Sequence, residues 1–398
     1  MRRIKVLQYA PLFLPSLGGT EINTYSFARH SRHKHYVLTD LTPGTPRFEE
    51  IDGIEVYRIG PPRMPAERNR LSLTMEFLFG TIRELNKAIN LNRIDYDVMH
   101  LHGSYGFPIL FDTIDRFLGL TVFKKLLAWR ICKKPIMVTL HSTPSHDPFL
   151  SLKERKSWIG LEMLYRAKTD IIVCVDRYMA TLMNSFPGNA KVFYIASGID
   201  TKIFKPIRKE KAYELLPRRI WRKIERYAED FLVLYIGRFD LAKGTQFLEA
   251  FAKRLPNNVK LVVAGHGDLR LLGKSDNMVY VGKIENKDAK ALINSCDVIF
   301  NPVQVPGTSR VTFEGMACGK PVIMFNNRTD RYPVIHENNG FLISSVEEAV
   351  ETVVRLQNDS TLYRMISREA VKTARENSVQ TLAGQVDELY ETLITQRT

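Results

Sequence analysis

Cysteine and long apolar runs are both scarce in this 398-residue chain. The four cysteines are widely spaced, which favours neither a zinc cluster nor a disulfide framework. They are Cys132, Cys174, Cys296 and Cys318. No stretch of about 18 uncharged apolar residues is present, so we expect no membrane-spanning helix. A strand pattern starts at Ile4 with no secretion signal before it, so we expect a cytoplasmic protein.

Acidic residues are the minority among the charged ones, 43 against 57 basic residues, which gives a formal charge of +14. Helix-turn-helix, zinc-finger and RNP-like patterns are missing, so we expect no specific nucleic-acid partner. Two segments, 115–134 and 202–227, mix basic with apolar and aromatic residues. Such segments suit an anionic membrane surface, or they are ordinary solvated faces. The sequence therefore leaves open whether the protein is free in the cytoplasm or peripheral on the inner face of the cell membrane.

Short apolar runs alternate with helical patterns along the whole chain. This alternation predicts an α/β protein with parallel sheets covered on both faces. The predicted strands are 4–9, 35–41, 55–59, 97–102, 135–141, 170–175, 191–196, 231–237, 260–264, 279–282, 297–301, 321–325 and 341–343. A turn-rich stretch, 197–206, separates the two series. We therefore place one domain at 1–200 and a second at 201–379.

The stretch 301–323 places a strand end, a loop, a helix and a second strand in a fixed order. Thr308 or Ser309 can cap the helix, and Gly319 can end it. A helix N-terminus exposes unpaired N–H groups and a partial positive charge, which suits a diphosphate. Glu314 is predicted to lie about a turn and a half inside the helix. The stretch therefore predicts a site for a phosphorylated ligand.

Two cations follow the strand predicted at 231–237. Arg238 and Lys243 are expected on the loop at its carboxyl end, where open α/β sheets bind ligands. Together they would neutralise a diphosphate as it leaves. Gly265-His266-Gly267 follows the next strand, and its glycines either let the backbone approach a ligand or make an ordinary tight turn.

The first domain has a glycine-rich turn of its own. Gly18 and Gly19 join the first strand to a helix, where glycine permits positive φ and Thr20 can cap the helix. Glu21 follows directly. An ordinary capped turn is the alternative to a ligand-binding loop.

Three histidines lie at strand ends in this domain. His141 ends the strand predicted at 135–141, and His100 and His102 share one face of another strand. One of the pair is expected to contact substrate and the other to belong to the core. No cysteine or carboxylate accompanies them at ligand spacing, so we predict no metal site. The acidic pair Asp95 and Asp97 precedes a strand, which also argues against a metal motif.

Together these segments resemble the glycosyl transferases group 1 family of retaining nucleotide-sugar transferases. The family signature E-x7-E followed by A-M-A-x-G-x-P-V is similar to the stretch 306–322, with Glu314 as the second glutamate and Pro306 in place of the first. The family pattern G-R-x4-K-G matches residues 237–244. The resemblance implies the GT-B fold, in which two Rossmann-like domains face each other across a deep cleft. A C-terminal helix within 380–398 would cross back to the first domain.

The resemblance also implies roles for single residues. In this family the catalytic groups would be His141, Arg238 and Lys243. The donor-binding residues would be Gly19, Arg238, Lys243, Gly265, Gly307, Thr308, Ser309, Arg310 and Glu314, and the acceptor-side residues Glu21 and His102. Among these, Gly307, Thr308, Ser309 and Arg310 would replace part of the role of the missing first glutamate.

The implied activity is a metal-independent, hexosyltransferase-like reaction. A sugar would pass from a nucleoside diphosphate sugar to a saccharide or lipid-linked acceptor, without a cofactor. Because Pro306 replaces a glutamate that holds the donor sugar, a second hypothesis stays open. It is a catalytically degenerate homologue that acts as a basic membrane- or nucleic-acid-binding module. An epimerase or phosphorylase on the same fold is a third.

Overall fold

The computed structural model of the chain describes residues 2–16, 18–59, 94–103, 134–141, 148–149, 151–305, 309–326 and 331–396. Within these ranges no helix is long and apolar enough to cross a membrane. The chain divides into two compact units. The first comprises 1–145, 151–198 and 379–398, and the second 146–150 and 199–378. The division at 198/199 lies two residues from the domain boundary that the sequence predicts.

The first unit contains an eight-stranded sheet in its described part, in the order β3-β4-β2-β1-β5-β6-β7-β8. Only β3 is antiparallel to its neighbour. The strands are β1 Lys5–Tyr9, β2 Lys34–Asp40, β3 Phe48–Ile51, β4 Ile54–Ile59, β5 Val98–His102, β6 Ile136–Leu140, β7 Ile171–Cys174 and β8 Lys191–Tyr194. Central strands β5 and β6 are buried at every residue, as expected for a parallel sheet covered on both faces.

The second unit contains a six-stranded parallel sheet in the order β11-β10-β9-β12-β13-β14. The strands are β9 Phe231–Phe239, β10 Val259–Gly267, β11 Met278–Gly282, β12 Val298–Asn301, β13 Val322–Phe325 and β14 Phe341–Ile343. Every strand predicted for this unit is present, and β9 and β10 run two to three residues further than expected. Two parallel sheets with helical connections confirm the predicted α/β class.

The described helices lie between the strands or follow the last one, in agreement with the predicted alternation. They are α1 Gly19–His30, α2 Leu152–Lys168, α3 Arg177–Ser185, α4 Lys209–Leu215, α5 Arg218–Ile224, α6 Leu248–Arg254, α7 Asn286–Ser295, α8 Arg310–Ala317, α9 Val346–Asn358, α10 Ser360–Glu376 and α11 Val379–Thr395. Side-chain caps start several of them. Ser345 accepts a hydrogen bond from the Glu348 amide, and Asp359 accepts from the Leu362 amide.

The last helix, α11, belongs to the first unit and packs against α1 and β5. This is the crossing that the resemblance implies. Its buried Asp387 accepts hydrogen bonds from the Ser31 hydroxyl and, at 2.9 Å, from the Arg32 amide. Tyr390 is also buried, and its Oη lies 2.6 Å from His100 Nδ1. Both side chains therefore fix the helix to residues 290 or more positions earlier.

We predict that Asp387→Ala lowers the free energy of unfolding by about 2 kcal/mol, because two partly buried donors lose their acceptor. Urea unfolding monitored by circular dichroism measures the change. The matched control is Glu388→Ala, next to it on the exposed side of α11, which should leave stability unchanged. Equal effects of the two variants would contradict an anchoring role for Asp387.

Candidate functional site

In the second unit, β9 lies between β10 and β12, so the carboxyl ends of these three strands meet at one edge of the sheet. Arg238 is inside β9, and not on the loop after it as the sequence predicted. The reason is that pairing with β10 continues through Arg238 and His266, and this extends both strands. Gly265, His266 and Gly267 are accordingly the last residues of β10 and do not form a separate turn.

Lys243 ends a short 3-10 turn, Leu241–Lys243, directly beyond β9. The Asp240 carboxylate accepts a hydrogen bond from the Lys243 amide at 2.8 Å. Burial, and then the charge of Arg238, lower the pKa of the Lys243 ammonium, while Asp240 acts in the opposite direction. This ammonium is half-buried and forms no hydrogen bond or ion pair with any residue that the structure describes. It is therefore a desolvated cation available to a ligand.

The guanidinium of Arg238 differs from this ammonium in its exposure. Its side chain is 63% exposed, and Nη2 lies 3.4 Å from Asp240 Oδ2. An exposed ion pair of this length contributes little to stability. Arg238 can therefore exchange Asp240 for another anion at low cost.

Two glycines let backbone segments touch at this edge. A Cβ at Gly265, where φ is +142°, would lie 1.8 Å from the Gly237 carbonyl oxygen. One at Gly244, where φ is +75°, would lie 1.9 Å from the carbonyl oxygen of Pro302. The second contact joins the turn that carries Lys243 to the loop after β12. No side chain could be accommodated at either position without moving the backbone.

The loop after β12 is held by a buried amide that the sequence analysis missed. Asn301 Nδ2 donates hydrogen bonds to Ser309 Oγ at 2.8 Å and to Thr312 Oγ1 at 2.9 Å. Ser309 is the N-cap residue of α8, as predicted, but its side chain does not cap a backbone amide. A polar residue ending an apolar strand was the only signal in the sequence for this role of Asn301.

Arg331 is a second residue that the sequence analysis missed. It is buried, and its guanidinium donates to the carbonyl oxygens of Val305 at 3.0 Å and Val303 at 3.1 Å. It thus fixes the chain that leads to the expected ligand residues Gly307 and Thr308. Those two residues, and Pro306, lie outside the described residues.

Helix α8 begins at Arg310 and ends where Gly319, at φ +72°, follows as the predicted terminating residue. Arg310 Nε lies 2.8 Å from Glu314 Oε1, and the two side chains are 21% and 13% exposed. Glu314 therefore forms an ion pair with Arg310 within α8. Such an ion pair is the alternative to a role in ligand binding. Arg310 Nη1 is nevertheless buried without a hydrogen-bond partner. An N–H group is thus left over at the N-terminus of a helix, where an anion is favoured.

In the first unit, α1 begins at Gly19, with Gly18 as its N-cap. The prediction of Thr20 as the cap is wrong, because Thr20 lies inside the first turn and no side chain caps this helix. Glycine permits positive φ here, but φ of Gly18 is −126°. A Cβ at Gly18 would lie 2.3 Å from Glu21 Oε2, so a larger residue there would require the Glu21 carboxylate to move. Glu21 is buried in the first helical turn, where its charge is favoured.

The three strand-end histidines of this unit, His100, His102 and His141, lie together, and the structure separates their roles. Both ring nitrogens of His100 have partners, Tyr390 Oη at 2.6 Å and Thr139 Oγ1 at 2.7 Å. His100 is thus a satisfied core residue. His102 Nδ1 lies 3.4 Å from Nε2 of His141, which directly follows β6 and is partly exposed. Burial lowers the pKa of His141 to about 4 and that of His102 well below the usual range.

The acidic pair before β5 has structural partners. Asp97 accepts a hydrogen bond from the Lys5 amide at 2.9 Å, and Asp95 pairs with the Lys5 ammonium at 2.7 Å. Within the described ranges, no group of three or more histidine, cysteine, aspartate or glutamate residues could hold a metal ion.

Of the two basic segments, 202–227 is described, and all of 115–134 except Lys134 lies outside the described residues. The exposed side of α5 carries Arg218, Arg219, Arg222 and Lys223. Two of these cations are engaged with backbone, Arg219 with the Lys283 carbonyl at 3.1 Å and Lys223 with the Tyr280 carbonyl at 3.0 Å. Membrane contact by these segments stays a prediction.

Two family models match most of the chain. "Glycosyltransferase Family 4" matches residues 17–203, and "Glycosyl transferases group 1" matches residues 218–373. Among curated relatives, an uncharacterized glycosyltransferase of Methanocaldococcus jannaschii is 22% identical over 404 residues, with 95% of each chain covered.

Solved structures share the fold across the whole chain. The sucrose-phosphate synthase of Thermosynechococcus elongatus gives a TM-score of 0.75 at 19% identity, covering 99% of this chain and 100% of that one. Anabaena HepE in complex with UDP-glucose gives 0.70 at 18% identity, covering 98% and 100%. The chain therefore has the GT-B fold.

The contact at Gly244 gives a prediction for the second unit. Gly244→Ala should lower the free energy of unfolding by about 3 kcal/mol or more, because it adds a backbone clash to the strain of positive φ. Chemical denaturation measures it. The matched control is Gly53→Ala, at φ +80° with open space around the added Cβ, which should cost about 1 kcal/mol. Equal losses would show that the contact with Pro302 does not constrain the turn.

Proposed function

Since the chain belongs to the glycosyl transferases group 1 family and has the GT-B fold, we propose that it is a retaining, metal-independent glycosyltransferase. It transfers a hexosyl group from a nucleoside diphosphate sugar to a saccharide or lipid-linked acceptor. The observation that carries this proposal is the edge formed by β9, β10 and β12. There Lys243 and Arg238 share one sheet edge with the N-terminus of α8.

A nucleotide sugar is the donor that this edge suits. A diphosphate carries charge that two cations and a helix N-terminus can neutralise together. The structural neighbour HepE is known with UDP-glucose and with UDP, which supports a donor of this class here. Gly265 lets the end of β10 lie against Gly237 of β9, and we assign the nucleotide base to this part of the edge.

Catalysis follows from charge that develops on the leaving group. The bond between the anomeric carbon and the diphosphate oxygen breaks, and the diphosphate gains negative charge. The desolvated ammonium of Lys243 stabilises the diphosphate most at that moment, because its attraction to the new charge is weakly screened. Arg238 is held next to Asp240 and can turn to the phosphates as that charge appears.

Retention needs no protein nucleophile in this scheme. The acceptor oxygen bonds to the anomeric carbon on the face that the diphosphate leaves, and the acceptor proton passes to a phosphate oxygen of the leaving group. Positioning and charge stabilisation then supply the rate enhancement. In the first unit we assign sugar and acceptor contacts to the partly exposed His141 and to the helix start at Gly19 and Glu21. His102 is 1% exposed, so in place of the acceptor-side contact expected for it we assign it a supporting role behind His141.

Replacing either Lys243 or Arg238 tests their proposed role at the diphosphate. We call these two residues the diphosphate clamp. Lys243→Ala and Arg238→Ala should each lower kcat by about 100-fold or more, the usual cost of losing one charge-stabilising donor. The donor is first identified by thermal shift against a panel of nucleoside diphosphates and their sugars, without added metal. A ligand at about 100 times its Kd adds about 2.7 kcal/mol of stability.

The matched control is Lys253→Ala, whose ammonium pairs with Glu249 on α6 and is 58% exposed. It should leave turnover and donor affinity unchanged. Full activity of both the Lys243 and Arg238 variants would contradict the clamp. If no nucleotide raises the melting temperature of the protein while anionic vesicles or nucleic acid bind to it, the transferase proposal fails. The protein is then the degenerate binding module.

Glu314 has a separate, testable role. Glu314→Ala should weaken nucleotide binding by roughly tenfold and leave the preference among sugars unchanged, because we assign its carboxylate to the ribose hydroxyls. Binding of the nucleoside diphosphate and of its different sugars, measured by calorimetry, separates the two effects. Arg310→Ala breaks the same ion pair from the other side but also removes the free Nη1 group, so its loss sets an upper limit on the structural part. A changed sugar preference with unchanged nucleotide affinity would mean that Glu314 has replaced the missing first glutamate.

A further inference from the structure

Four ring-bearing side chains form a continuous buried row in the first unit, from α11 to the end of β6. Tyr390 Oη is 2.6 Å from His100 Nδ1, and the ring centroids of His100 and His102 are 4.1 Å apart. His102 Nδ1 is 3.4 Å from His141 Nε2, with the two rings stacked at 28°. Only the last of the four, His141, is partly exposed.

The contact between His102 and His141 joins two neutral rings near pH 7, since burial lowers the pKa of both. A neutral imidazole has one N–H donor and one bare acceptor nitrogen. The two facing nitrogens must therefore have opposite roles. Either His102 donates from Nδ1 to His141, or His141 donates from Nε2 to His102.

The second nitrogen of His102 decides between the two arrangements. Nε2 is buried and has no hydrogen-bond partner among the residues that the structure describes. If it carried the proton, a buried donor would be left without an acceptor, which is rarer and more costly than an unused acceptor. The proton is therefore on Nδ1, and His102 donates to Nε2 of His141. His141 must then carry its own proton on Nδ1.

We propose that His102 is a positioning residue that holds His141 as the Nδ1–H tautomer, so that His141 donates a hydrogen bond to an oxygen of the sugar substrate. The substrate part of this inference rests on the proposed transferase function, and the tautomer part does not. At 3.4 Å the contact between the rings is long, as such contacts often are before substrate binds.

His102 can perform this role because its own ring is fixed. It follows His100 by two residues on β5, so both rings lie on one face of the sheet. His100 is held at both nitrogens, by Tyr390 and by Thr139 of the neighbouring strand β6. Rotation of the His102 ring would disturb its packing against the His100 ring, which is hydrogen-bonded at both nitrogens. The C-terminal helix thus contributes to the orientation of His141 without touching it.

Nitrogen NMR of the full-length protein labelled with 15N-histidine tests the inference directly. Two-bond proton–nitrogen correlations distinguish a protonated from a bare ring nitrogen, and His141→Ala identifies the His141 signals by their loss. We expect His141 to be protonated on Nδ1 near pH 7. Protonation on Nε2, the tautomer that free histidine prefers, would overturn the proposal.

Two substitutions of His102 provide the matched pair. In His102→Asn the amide N–H replaces the Nδ1–H donor, whereas in His102→Gln the amide takes the place of Nε2. We expect His102→Asn to keep the His141 tautomer and His102→Gln to lose it. kcat/KM for the donor should fall roughly two- to tenfold in His102→Gln only, the factor that one hydrogen bond provides. Identical His141 spectra in the two variants would contradict the role of His102.

The outcomes also separate this inference from the proposed function. If His141 has the expected tautomer and no nucleotide sugar is ever bound, the transferase proposal fails and the positioning role stands. If a nucleotide sugar is turned over while His141 is protonated on Nε2, only the positioning role fails. Should His102→Gln not fold, the wild-type spectrum alone decides.

Discussion

The place of β9 between β10 and β12 is the constraint on which the candidate site of the second unit depends. Parallel strands end on the same side, so residues up to 76 positions apart, such as Arg238 and Glu314, are brought to one edge. Backbone contacts then fix the turn after β9 against the loop after β12. The Gln304 amide donates to the Ala242 carbonyl at 2.8 Å, and Gly244 touches Pro302. A half-buried lysine on such a turn cannot withdraw into solvent without breaking these contacts.

The first unit depends in the same way on a long-range element, the C-terminal helix α11. Its buried Asp387 and Tyr390 have partners at Ser31 and His100, so the helix completes the sheet's covering layer. Tyr390 also starts the buried row of rings that ends at His141. The contacts that hold α11 on the sheet therefore also orient the histidines. A polar row of this kind is stable in the interior because most of its polar atoms have partners among the described residues, although Nε2 of His102 is buried without one.

The sequence predicted the strands well because most are buried on both faces and read as uninterrupted apolar runs. It missed β3, although Asp52-Gly53, both at positive φ, is a strong hairpin signal between β3 and β4. The prediction failed there because β3 is the exposed antiparallel edge of the sheet and lacks a continuous apolar run.

The parts of the site that could not be predicted are those set by distant partners. Nothing local indicates that Asn301 bridges a strand end to α8, or that Arg331 binds carbonyl groups 26 and 28 residues earlier. The strand register that places Arg238 opposite His266 is likewise a property of the pair of strands. Chemistry-bearing residue types at strand ends were visible in the sequence. The hydrogen bonds that hold them in place were not.

Replacement of the first signature glutamate by Pro306 can be examined through its neighbours. Proline has neither a carboxylate nor an N–H group, so both the side-chain acceptor and one backbone donor are absent at this position. Ser309 accepts one hydrogen bond from Asn301, so its hydroxyl keeps its proton and one lone pair for a ligand. Arg310 is paired with Glu314 but keeps a buried Nη1 that has no partner among the described residues. Together these two side chains offer more hydrogen-bond donors than acceptors. They therefore favour a ligand rich in acceptor oxygens, such as a phosphate, and can replace the missing carboxylate only in part.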